Sequence, residues 1–132
     1  MRRGPTVRAA ETRALWRASQ FAWGRTDCLM ALSDHVLRLT GRDPAEPWRG
    51  AYDDEVGARA IYDAHGGVMN LVSYAMDRIG LPVGAPCDGA ALICELGGQQ
   101  IGGAMDGTRV IFMAEGRGVV RCRAPILRAW PL

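Results

Sequence analysis

The chain contains no lysine; all sixteen of its basic residues are arginine. They are scattered through both halves against fourteen acidic residues, leaving a net charge of +2 and no basic stripe, which argues against nucleic acid as a partner. The N-terminal group Arg2, Arg3, Arg8, Arg13 and Arg17 reads as a solvated helix face. No apolar run approaches the ~20 residues that cross a bilayer, so no membrane insertion is expected. Arg2-Arg3 is not followed by an apolar stretch, so no secretory signal is expected. A protein made in the cytoplasm, leaving it only inside an assembly, is the expectation. The four cysteines, 28, 87, 94 and 122, form no C-x-x-C pair. That spacing speaks against zinc, and a reducing compartment against a disulfide framework. Neither metal nor cofactor is expected.

What is present suits one ordinary core. A chain of 132 residues with 48% hydrophobic and 23% charged residues is a single globular domain. Met1 to Thr6 reads as a loose arm broken by Gly4-Pro5. Helical spacing of apolar residues predicts helices over Val7–Ser19, Asp27–Thr40, about Asp53–Ala64 and Val68–Ile79. Gly41, Gly66-Gly67 and Gly80 stop the last three. Arg42 to Tyr52 holds Pro44, Pro47 and Gly50 and reads as a loop pinned by Trp48 and Tyr52. Residues 81–86 form a Pro/Gly-rich linker. The period then changes to short apolar runs, Ala90–Leu96, Gln100–Met105, Arg109–Ala114 and Gly118–Arg123, divided by glycine-rich breaks. Such breaks signal hairpins. Ala124 to Leu132 closes the chain with Trp130 over the core. The expected fold is α+β: four N-terminal helices packed on a C-terminal antiparallel sheet of four short strands.

The stretch Phe21-Ala22-Trp23-Gly24-Arg25-Thr26-Asp27-Cys28 holds the chemistry. Asp27 is a good N-cap, which places Cys28 in the first turn of the second helix, among unpaired N–H groups and the positive end of the helix dipole. That setting lowers a thiol pKa and favours the nucleophilic thiolate. Cys28 is therefore a nucleophile or the remnant of one.

A helix headed by Asp-Cys, then further helices, then a small antiparallel sheet, resembles papain-like thiol hydrolases of the NlpC type, which are bacterial and phage cell-wall peptidases. The chain is more similar to a small phage and prophage branch of that superfamily. The likeness lies in Phe21 to Cys28, Gly41-Arg42-Asp43-Pro44, Gly50-Ala51-Tyr52, His65-Gly66-Gly67 and the closing Arg128-Ala129-Trp130. It implies a papain-like domain in the tail tip of a long-tailed phage or gene-transfer agent. The implied neighbours are the baseplate hub and the large central tail protein.

An active member of the peptidase family needs a histidine on an early sheet strand to serve Cys28 as base, with a third polar group to orient it. In the family pattern this histidine precedes a run that looks like Ile101-Gly102-Gly103-Ala104, and here that position is Gln100. Glutamine takes no proton at neutral pH. No histidine follows His65. His35 shares a helix face with Cys28 but sits about two turns, roughly 10 Å, away. His65, at the end of the third helix, is the remaining imidazole that could assist, together with Asp27. Two readings follow. The first is a structural tail-tip component with a degenerate peptidase fold, touching neighbours through Trp48, Arg49 and Tyr52. The alternative is an active thiol peptidoglycan hydrolase with Cys28 as nucleophile.

Overall fold

A computed structural model describes residues 5–132, with side chains described from residue 8 onward. Helices α1 (Pro5–Arg17), α2 (Cys28–Thr40), α3 (Glu55–Ala64) and α4 (Val68–Arg78) come first, with a single 3-10 turn over Glu46–Trp48. Strands β1 (Ala91–Leu96), β2 (Gln99–Asp106), β3 (Arg109–Ala114), β4 (Gly118–Cys122) and β5 (Ile126–Trp130) follow. The α+β expectation holds, with the N-terminal helices packed on a C-terminal antiparallel sheet. Of the arm expected over Met1 to Thr6, Met1–Gly4 lie outside the described residues, and Pro5 and Thr6 already belong to α1.

Each boundary has a local cause. Asp27 caps α2 by accepting the N–H groups of Leu29 and Met30, and Gly41 ends it in the left-handed region, its own N–H donating to Leu37 O. Asp54 caps α3 through the Gly57 N–H. The Gly97-Gly98 turn between β1 and β2 has both residues at positive φ, as a tight hairpin requires.

The sheet has one strand more than the sequence pattern shows. Its order is β4-β3-β2-β1-β5, so the closing segment returns across the sheet to pair with β1. Period-2 patterning misses β5 because it is an edge strand with Leu127 and Arg128 exposed, and a register shift at Ile93/Cys94 breaks its alternation. The linker over residues 81–86 runs beside it, with Gly84 N–H donating to Ala129 O at 3.0 Å.

Helices cover one sheet face. Leu29, Leu32 and Val36 of α2 and Leu71, Val72 and Met76 of α4 pack on Ala91, Ile93 and the fully buried Trp130. Burying each of the larger side chains contributes about 1.5–3 kcal/mol. On the other face Ala90, Leu92, Cys94, Val110, Phe112 and Ala129 bury one another as the sheet curls.

One irregularity positions the site. β2 pairs with β1 from Gln99 to Ala104, but with β3 only through Ala104, Met105 and Asp106. Before Ala104, towards Gln99, the two strands part, and the N-terminal turn of α2 packs where they separate. Gly102 makes this close approach possible: a Cβ there would meet Leu29 Cδ2 at 2.7 Å and Leu32 Cδ1 at 3.1 Å.

Candidate functional site

Asp27 is fully buried, and both of its oxygens are used. Oδ1 accepts from the Leu29 and Met30 N–H groups, each at 3.1 Å. Oδ2 accepts from the Gly24 N–H and from the Tyr52 hydroxyl, each at 2.7 Å. One carboxylate therefore starts α2, closes the Trp23-Gly24 turn and ties down the loop that ends at Tyr52. Gly24 is needed at its place twice over: its φ is +82°, and a Cβ would collide with Tyr52 O. Burial, with Asp27 beside it, pushes the Tyr52 hydroxyl well above the ordinary tyrosine range.

Cys28 follows in the first turn of α2 and is half-buried. The helix start was expected to lower its pKa, and the structure reverses that. Burial pushes the thiol up to about 12; hydrogen bonds from the Gly102 and Leu29 N–H groups oppose this, while the Asp27 charge reinforces it. The physical reason is first the burial of the sulfur, to which Asp27 adds by consuming N–H groups of the helix terminus and placing a negative charge nearby. Burial thus favours the protonated thiol over the thiolate at neutral pH.

Cys28 is one of the residues that line an open cleft of about 510 Å³ where β2 and β3 part. Phe21 and Trp23 form one wall in an edge-to-face pair 4.9 Å apart, and Trp23 Nε1 donates to Glu115 Oε2 at 2.7 Å beside the mouth. Tyr62, Val68 and the Glu55–Arg59 ion pair line the cleft as well. Burial and the neighbouring Cys28 raise the Tyr62 hydroxyl too. A more apolar hollow of about 40 Å³ lies between α2, α3 and α4, lined by aliphatic side chains with Ser33, Trp48 and the two tyrosines, and reads as a packing gap.

The profile of a family described as Domain of unknown function (DUF6950) matches residues 2–132. The chain belongs to that family. Comparison with curated proteins and with solved structures finds no match.

In this DUF6950 chain the position expected to carry a base is structurally occupied. Gln100 lines the cleft, but its Oε1 accepts the Met69 N–H at 3.2 Å, in the first turn of α4, whose N-cap Gly67 has no side chain to do so. Neither histidine lines the cleft. His35 is buried, with Nε2 donating to Gly89 O at 2.8 Å and Nδ1 accepting from Thr12 Oγ1 at 2.6 Å, a neutral tautomer. Burial lowers its pKa to about 4, and Arg38 and Arg8 add to the shift, although the bond to Gly89 opposes it. His65 is not brought to Cys28. The end of α3 holds its ring against Trp48 at 5.5 Å and Tyr74 at 6.0 Å, with Nδ1 donating to Ile61 O at 3.0 Å. Asp27, adjacent to Cys28, is committed to four hydrogen bonds.

The three expected contact residues separate in role. Trp48 is half-buried against the helical core, and Arg49 forms ion pairs with Asp34 at 2.8 Å and Asp43 at 2.7 Å. Tyr52 turns its hydroxyl inward to Asp27. Sequence reasoning missed Tyr62, Glu115 and Arg59 as cleft residues. They come from α3 and the β3–β4 turn, and nothing local marks their convergence; the parting of β2 and β3, which brings them together, is signalled only by Gly102-Gly103.

Proposed function

We propose that this protein is a non-catalytic component of a phage or phage-like tail tip, with a degenerate papain-like thiol-hydrolase cleft, that works through contacts with other tail-tip proteins. The observation that carries the non-catalytic part is the lining of the Cys28 cleft, which includes neither His35 nor His65; burial, which raises the thiol pKa, supports it. Thiol hydrolysis requires a thiolate and an acid to protonate the leaving group. Here Gln100 is engaged with α4 and Asp27 with the start of α2. Placement in the tail tip, beside the hub and the large central tail protein, rests on the ordered motifs from Phe21 to Trp130.

An active peptidoglycan hydrolase is the second reading. The Gly102 and Leu29 N–H groups at the sulfur, which favour its thiolate, and the open cleft that Cys28 lines support it as far as access and thiol activation go. Alkylation separates the two. Labelling with iodoacetamide from pH 5 to 10, followed by mass spectrometry with Cys28→Ser as control, is expected to show slow reaction at Cys28 throughout. Rapid labelling with a midpoint below about 8.5, the ordinary thiol value, would overturn the non-catalytic reading and call for a peptidoglycan digestion assay.

A further inference from the structure

Successive residues of an antiparallel strand turn their N–H and C=O groups to opposite neighbours. Gln99 closes the Gly97-Gly98 turn opposite Leu96, and Ala104 lies opposite Ile111. The phase this sets points the backbone groups of Gln100, Gly102 and Ala104 towards β3. Those of Arg109, Ile111 and Met113 point back towards β2. Ala104 and Ile111 meet, and the Gly102 N–H goes to the Cys28 sulfur. Gln100 and Met113 are left facing a gap that no strand of the described residues fills, and both line the cleft.

We propose that the cleft over Cys28 holds one extended, basic segment of a partner polypeptide, which pairs with the open side of β2 as an added strand. This rests on the reading of the cleft as a contact surface rather than a hydrolytic site. Strand addition is a common way to read an extended chain, with the main chain supplying affinity and flanking pockets supplying selectivity. Phe21 and Trp23 offer an aromatic wall for one side chain. Charge selects the other. Glu55 and Arg59 neutralise each other at 2.8 Å, whereas Glu115 has no cationic partner among the described residues. The mouth therefore carries net negative charge and favours an arginine or lysine on the incoming segment.

The test uses the full chain and a displayed library of random decapeptides. Enriched peptides are expected to carry Arg or Lys. The tightest of them, made synthetically, is expected to slow hydrogen exchange at the Gln100 and Met113 amides, and methylating its alternate amide nitrogens should weaken it by roughly tenfold or more, as loss of strand hydrogen bonds implies. Glu115→Gln keeps an acceptor for Trp23 Nε1 but removes the charge, and should abolish most of the preference for Arg over Gln in the peptide. No enrichment, a bound peptide that leaves both amides unprotected, or an N-methylated peptide that binds equally well would each overturn the proposal. Cleavage of the bound peptide would instead overturn the non-catalytic reading beneath it. An inert thiol with no peptide selected would sink the docking proposal alone.

Discussion

Asp27 and Cys28 are neighbours with opposed demands, and the carboxylate wins. A charge that accepts four hydrogen bonds in a fully buried position fixes the α2 start, the Gly24 turn and the Tyr52 loop together. The same charge opposes ionisation of the sulfur next to it. Removing the Tyr52 hydroxyl takes one donor from Asp27 Oδ2 and leaves the Gly24 N–H in place. Tyr52→Phe is expected to cost about 1.5–3 kcal/mol in urea unfolding, the range for a hydrogen bond to a charged group. Gly24→Ala should cost more, because it strains a positive φ and also drives a Cβ into Tyr52 O. The two midpoints, measured side by side, check the order; a smaller loss for Gly24→Ala than for Tyr52→Phe would contradict it.

Among the elements, α4 shows how a site position can be drawn into the scaffold. Its N-cap is Gly67, which gives no side-chain hydrogen bond, so the first turn borrows Gln100 from β2. Gln100→Ala should lower stability by about 0.5–1 kcal/mol, the lower part of the capping range, since the bond is exposed. It should also speed hydrogen exchange in the first turn of α4 while leaving the last turn unchanged. Unaltered exchange at Met69 would show that the contact does not hold the helix. The helices themselves were legible because their caps are written locally, in Asp27, Gly41 and Asp54. β5 was not, because an edge strand with a bulge has no clean period and gains its identity only by pairing with β1.

Across the whole molecule, the sequence made Asp27, Cys28 and Gln100 visible as candidates, because a helix start and a strand motif are short-range patterns. The cleft itself was invisible. Its walls come from remote segments joined by the parting of β2 and β3, and burial, which sets the thiol pKa, is a property of the assembled fold. His35 makes the same point through stability. It joins α1 to α2 and the entry of β1, between Thr12 and Gly89 O, with the Trp16 ring 6.3 Å away. Its folded pKa of about 4 lies below the ordinary 6.5. Between those values the unfolded chain binds the proton more readily, so this contribution is full above about pH 6.5 and is lost as the pH falls towards 4. At about 1.4 kcal/mol per pH unit the loss reaches roughly 3 kcal/mol. Urea unfolding at a series of pH values should therefore show stability dropping over this window, and His35→Gln, though less stable at neutral pH, should drop less. An equal slope in the two proteins would mean that His35 is not the group being protonated, and that the junction of α1 with the body tolerates a charged imidazole.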